Sequence, residues 1–169
     1  DKGWQVHPLV PDEKVPLLKG WQKLAGHDAS EIGEYWAASP EANIGVATGK
    51  KSGIVVVDVD GAAGEASLQL LIDQHGGLDT LMCQSPNGRH LYFQAPEKKI
   101  SNKVGVREGV DVRADGGYII APPSQVNGKA YTWLNESVPA PMPAWLTKLL
   151  TSKSSKSPAN QQATPLQGV

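Results

Sequence analysis

Apolar runs bounded by glycine and proline recur along the chain, and the longest of them is Gly53-Ile54-Val55-Val56-Val57-Asp58-Val59-Asp60. Consecutive β-branched residues between Lys50-Lys51-Ser52 and Gly61-Ala62-Ala63-Gly64 predict a central strand buried on both faces. Side chains alternate along a strand, so Asp58 and Asp60 point the same way. Two like charges side by side at a buried strand's end repel. A cation, basic side chains or water must offset them, which points to a divalent metal; the plain alternative is a strand whose last residues are solvated.

The remaining pattern supplies the elements around that strand. Gly3–Val10 has strand-like composition closed by Pro11, and the stretch to Trp21 is too rich in proline and glycine for a regular element. Lys14 and Lys19 in that loop either reach a phosphate or stay solvated. Asp28 and Glu31 have capping-box spacing ahead of Ile32, Tyr35 and Trp36, so a short amphipathic helix runs to Ser39-Pro40. Asn43–Gly49 reads as a strand that a Gly49–Gly53 turn folds back beside the Asp58 strand. After a break at Gly61–Gly64, a helix is expected over Glu65–Gln74, closed by Gly76-Gly77.

Leu81–Ser85 and His90–Gln94 flank Pro86-Asn87-Gly88-Arg89, where Asn-Gly is a strong hairpin signal. This places His90 on the face of Tyr92, opposite Leu91 and Phe93. A linker holding Lys98, Lys99, Asn102 and Lys103 precedes Gly109-Val110-Asp111-Val112-Arg113, where period two puts Val110 and Val112 inward and Asp111 with Arg113 on the other face. Asp115-Gly116-Gly117 turns the chain into a strand Tyr118–Ala121. Lys129–Leu134 reads as a last strand and Pro143–Leu150 as a closing helix with proline at its start. Residues 1–150 therefore form the folded domain. From Thr151 to Val169 the composition is that of a flexible linker or tail.

Composition narrows the classes. The 169 residues are 40% apolar, enough for a core, and the single cysteine, Cys83, excludes a disulfide framework and a cysteine-cluster zinc site. A lone thiol fits a reducing, cytoplasmic setting. No apolar run has the length of a membrane span, and the start Asp1-Lys2-Gly3-Trp4, without initiator Met or signal-like region, reads as the edge of a cut-out piece. The net charge of −1 provides no overall basic field for nucleic acid. Lys98, Lys99, Lys103 and Arg107 form the one dense basic cluster, either a local patch or a solvated linker.

Taken in order, Gly20-Trp21, Asn43–Gly49, Val57-Asp58-Val59-Asp60, Ser85–His90, Gly109–Arg113 and Ala121-Pro122-Pro123-Ser124 resemble the bifunctional DNA primase/polymerase N-terminal domain of the archaeo-eukaryotic primase superfamily. The resemblance spans Gly3 to about Leu150. It implies an α+β fold: an RRM-like palm sheet with flanking helices and an N-terminal α/β part, the primase catalytic core. It also implies that Asp58, Asp60 and Asp111 are catalytic and ligate Mg²⁺ or Mn²⁺, as oxygen donors suit hard cations. His90, with Ser85 and Arg89, would contact the phosphates of a dNTP or NTP; Arg113 either binds a phosphate or braces Asp111. The implied activity is two-metal nucleotidyl transfer, extending or making primers on single-stranded DNA template for a plasmid, phage or prophage replicon. A helicase or ATPase region downstream, or as a partner, goes with it, and no membrane. The rival readings are a metal-dependent phosphodiesterase or nuclease on the same acids, and a non-catalytic nucleotide- or DNA-binding replication module.

Overall fold

The computed structural model describes residues 2–26 and 28–152, so the expected tail lies, from residue 153 on, outside the described residues. In chain order the elements are β1 (Val6–Leu9), α1 (Trp21–Leu24), α2 (Ala29–Ala38), β2 (Asn43–Ala47), β3 (Ile54–Asp60), α3 (Gly61–His75), β4 (Leu81–Gln84), β5 (Gly88–Gln94), β6 (Lys103–Arg107), β7 (Val110–Arg113), β8 (Tyr118–Ala121), β9 (Gln125–Val126), β10 (Lys129–Ala130), β11 (Thr132–Trp133), β12 (Ala140–Pro141) and α4 (Ala144–Thr151). The class is α+β, with largely antiparallel sheets. The large sheet runs β11-β4-β5-β3-β7-β6, with β12 added in parallel to β5. A second sheet runs β1-β2-β8, and β9 and β10 form a small ribbon.

β3 lies inside the large sheet, paired antiparallel to β5 and β7, and its alternation divides the core in two. Val55, Val57 and Val59 pack with Leu91, Phe93, Val110 and Val112 beneath Leu68 of α3 and Leu146 and Leu150 of α4. On the opposite face Ile54 and Val56 pack with Leu81, Cys83 and Tyr92 against Leu9, Val46, Ile119 and Ile120 of the second sheet. The large sheet is thus sandwiched between helices and a smaller sheet. Burying each valine of β3 contributes about 1.5–3 kcal/mol, so this strand anchors both layers.

Several local expectations change. β2 pairs with β1 and β8, not with β3; the chain does reverse between Gly49 and Ile54, but a single bridge there hands it from one sheet to the other. α3 starts directly at Gly61, with Asp60 as its N-cap residue, where a four-residue break was expected. Within this first turn Gly64 lies against Gly109, and only glycine fits: a Cβ on Gly64 would clash with the Gly109 carbonyl oxygen. The expected linker at Lys103 is an edge strand, β6, paired irregularly with β7. The expected strand Lys129–Leu134 is split at buried Tyr131, so that β10 and β11 belong to different sheets. α2 begins as expected, with the Asp28 carboxylate accepting from the Ser30 and Glu31 amides.

One buried group works against the fold at low pH. His7 of β1 is fully buried, stacked on Trp21 at 4.4 Å between centroids and edge-on to Tyr118 at 5.2 Å, and neither ring nitrogen makes a well-formed hydrogen bond among the described residues. Burial lowers its pKa from 6.5 to about 4, partly opposed by the Pro8 backbone and reinforced by the Lys51 charge. Between those values the unfolded chain binds the proton and the folded chain does not, so stability present above pH 6.5 is lost as the pH falls toward 4. The loss attributable to this ring is up to about 3 kcal/mol. Urea unfolding of His7→Phe and wild type from pH 7 to 4 should show the variant gaining on the wild type by that amount. Parallel curves would show that the ring is protonated without penalty.

Candidate active site

The sheet geometry brings three of the candidate side chains into direct register. Asp58 of β3 stands opposite His90 on β5 and opposite Asp111 on β7, all on the face turned toward the second sheet. Two residues on, Asp60 ends β3 opposite Gly88. Its backbone amide is taken by the Gly109 carbonyl at 2.8 Å, and the next amide, of Gly61, by Asn87 at 2.8 Å. The hairpin tip and the β6–β7 turn therefore both hold the end of the strand. Gly88 makes this approach possible: a Cβ there would lie 2.0 Å from the Val59 carbonyl oxygen.

Each carboxylate has a different environment. Asp58, its side chain 13% exposed, has Oδ1 3.2 Å from His90 Nε2 and Oδ2 3.9 Å from Arg113 Nη2. Burial pushes its pKa up, but the His90 hydrogen bond and the charges of His90, Arg113 and Lys14 outweigh it, and the carboxyl titrates below its ordinary value. Asp111 accepts the Gly105 amide at 2.8 Å on Oδ1 and Arg113 Nη2 at 3.1 Å on Oδ2. Asp60 makes no capping bond to α3, and burial together with the charges of Asp58 and Asp111 raises its pKa, against Lys14 and His90. Negative charge is thus least compensated at Asp60.

Behind His90 the structure is apolar and closed. Nδ1 faces Cys83 Sγ at 3.7 Å, and the Tyr92 hydroxyl lies 3.9 Å from the same sulfur. Burial pushes the Cys83 thiol up to about 12 and the Tyr92 hydroxyl well above its usual value, so both stay protonated. In front of Asp58, His90 and Arg113 opens a cleft of about 390 Å³. Its far wall is Lys14 of the β1–α1 connection, Trp21 of α1 and Tyr118 of β8, with Tyr131 beside His90.

A family model described as bifunctional DNA primase/polymerase, N-terminal, matches residues 1–145. The chain belongs to this family. No curated protein matches it.

In this primase/polymerase N-terminal domain the candidate residues fall into two groups. Asp58, Asp60, Asp111, His90 and Arg113 share one face of the large sheet. Arg89 is not brought to them. Ser85, two residues past Cys83 and so on the His90 side of the sheet, is buried, and its hydroxyl accepts the Gly88 amide at 3.1 Å, closing the hairpin. Arg89 is one residue out of phase with His90, on the helix side, where Nη2 meets Glu65 Oε2 of α3 at 2.6 Å. Period-two alternation alone carried that information. Cys83, Tyr118 and Tyr131 were not among the candidates, since Tyr118 and Tyr131 reach the cleft only through the meeting of two sheets.

The donor set suits a hard cation, being three carboxylates with surplus charge at Asp60. Among the described residues, however, no group of three or more His, Cys, Asp or Glu side chains stands together as a ready cage. Asp58 and Asp111 are turned to internal donors instead. No helix among the described residues is long and apolar enough to cross a membrane.

The tight approach at Gly88 gives a direct test of this frame. Gly88→Ala should lose more than about 2 kcal/mol, at the upper end of point-mutant effects, whereas Gly77→Ala, with nothing within 4 Å of the added methyl, should stay within about 0.5 kcal/mol. Thermal or urea unfolding of the two variants checks the contrast.

Proposed function

We propose that this chain is the catalytic core of a DNA primase/polymerase that adds nucleotides to a primer strand on single-stranded DNA template. The observation that carries the reading is Asp58 in cross-strand register with Asp111, with Asp60 two residues further on, at the edge of a cleft in a chain whose family match runs over 1–145. The large sheet serves as the RRM-like palm and residues 1–150 as the catalytic unit. The setting is replication of a plasmid, phage or prophage, with a helicase or ATPase region as neighbour.

Nucleotidyl transfer asks the protein for positioning and for charge at the phosphates, more than for covalent chemistry. Asp58, Asp60 and Asp111 would hold Mg²⁺ or Mn²⁺. When bound, the metal supplies activation of the primer hydroxyl and neutralisation of the charge on the triphosphate and leaving pyrophosphate. The chain's own residues do the rest. Asp58 is kept ionised by His90 and Arg113, and so remains an oxygen donor across the neutral pH range. His90, gripped between Cys83 and Asp58, fixes the orientation of that carboxylate and presents its ring edge to the cleft. Arg113 bridges Asp58 and Asp111 and offers a guanidinium to a phosphate that enters beside them.

The test is incorporation of labelled dNTPs and NTPs on a single-stranded template, with and without annealed primer, in Mg²⁺ and in Mn²⁺. Wild type should extend the primer, and Asp58→Asn/Asp60→Asn should lose at least about 100-fold in rate, some 2.7 kcal/mol of transition-state stabilisation, without loss of folding. A folded wild type that binds template and incorporates nothing would end the catalytic reading. Loss of end-labelled strand without added nucleotides would replace it with a phosphodiesterase.

A further inference from the structure

We infer that Lys14 is a phosphate-binding residue of the cleft, reaching the β- and γ-phosphates of a bound nucleoside triphosphate from the wall opposite the carboxylates. This rests on the primase/polymerase reading and adds to it a contact from the β1–α1 connection, outside the large sheet.

The segment that carries Lys14 has no regular structure, yet its backbone is held at successive residues. Asp12 Oδ1 accepts the Gly128 amide at 3.0 Å, Asn43 Nδ2 donates to the Glu13 carbonyl at 3.0 Å, and the Tyr118 hydroxyl donates to the Lys14 carbonyl at 2.6 Å. The Val10 amide donates to Val15 at 2.8 Å, and Pro16 bridges to Leu9. Asp12 has a φ of 57°, in the left-handed region that aspartate, with its short polar side chain, adopts more readily than most residues.

What this loop delivers is an ammonium group. Lys14 is exposed, lines the cleft with Asp58, His90 and Arg113, and makes no ion pair among the described residues. Its charge is felt at both Asp58 and Asp60 across the cleft. A lysine fixed at the backbone, free at its tip and facing acids is poorly explained as a structural ion pair. A ligand with several negative charges, seated between Lys14 and Arg113, uses both cations at once. The same need is unmet from the other candidate arginine, because Arg89 is committed to Glu65 on the far side of the sheet.

The contact should be read in binding, apart from turnover. Isothermal titration of the full chain with dATP, dADP, dAMP and a short single-stranded oligonucleotide, in Mg²⁺, compares wild type with Lys14→Ala and Lys14→Arg. Wild-type affinity should rise with phosphate number. Lys14→Ala should weaken dATP about tenfold or more, as expected for one lost charge-assisted bond, with dAMP binding, oligonucleotide binding and thermal unfolding unchanged; Lys14→Arg should recover most of the loss. Equal dATP affinity in Lys14→Ala would overturn the inference and leave the primase/polymerase reading standing. Loss of oligonucleotide affinity with dATP binding intact would overturn it too, by moving Lys14 to the nucleic-acid backbone. A wild type without affinity for any of the three nucleotides would remove both the inference and the reading beneath it.

Discussion

Everything at the candidate site depends on the burial of β3 on both faces. Its odd-numbered valines sit under the helices and its even-numbered Ile54 and Val56 sit under the second sheet. The same alternation, carried two and four residues past Val56, sets Asp58 and Asp60 on the second-sheet side, where the layers part into the cleft. A slip of one residue would turn both carboxylates to the side of α3 and α4 and move Val57 and Val59 to the cleft side. The hydrophobic register and the electrostatic register are therefore one constraint, and the large term enforces the small one. Position on the strand is held by apolar burial of several kcal/mol, so like charges can be kept close without the backbone yielding.

Given that placement, neighbours assign the acids unequal roles. Asp58 sits between His90 and Asp111; burial opposes its charge, His90, Arg113 and Lys14 favour it, and the balance falls toward ionisation. Asp111 settles its charge locally, on the Gly105 amide and Arg113. Asp60 has neither device and is pushed toward protonation. Three residues of one chemical kind thus differ through strand position alone. The uncompensated charge collects at the end of β3, where the chain turns into α3, rather than deep in the sheet.

Much of this was legible from residue pattern. β3, the β4–β5 hairpin, the inward valines of β7, the Asp28 cap and the closing helix each follow from a local rule that tertiary packing did not overrule. The family resemblance, drawn from ordered motifs, agrees with the match over 1–145. The failures have a common cause. The partner of β2 and the division of Lys129–Leu134 at Tyr131 are set by contacts distant in sequence, which propensity cannot see. Arg89 differs. Its adjacency to His90 suggested a shared site, yet alternation already placed it on the other face.

The cleft belongs to neither sheet alone. The large sheet supplies Asp58, His90 and Arg113, while the layer above supplies Tyr118, Trp21 and the clamped loop bearing Lys14. With a net charge of −1 the chain has no long-range field to draw polyanions toward it. Under the proposed function, recognition of a polyphosphate acts at short range, through a few cations already at the cleft. Arg113 is held by two aspartates, and Lys14 is held at its backbone with its ammonium free among the described residues. Such preorganisation limits the ordering cost that binding would otherwise carry. It also gives the second sheet a part in the proposed reading: the Tyr118 hydroxyl of β8 holds the loop from which Lys14 reaches the cleft.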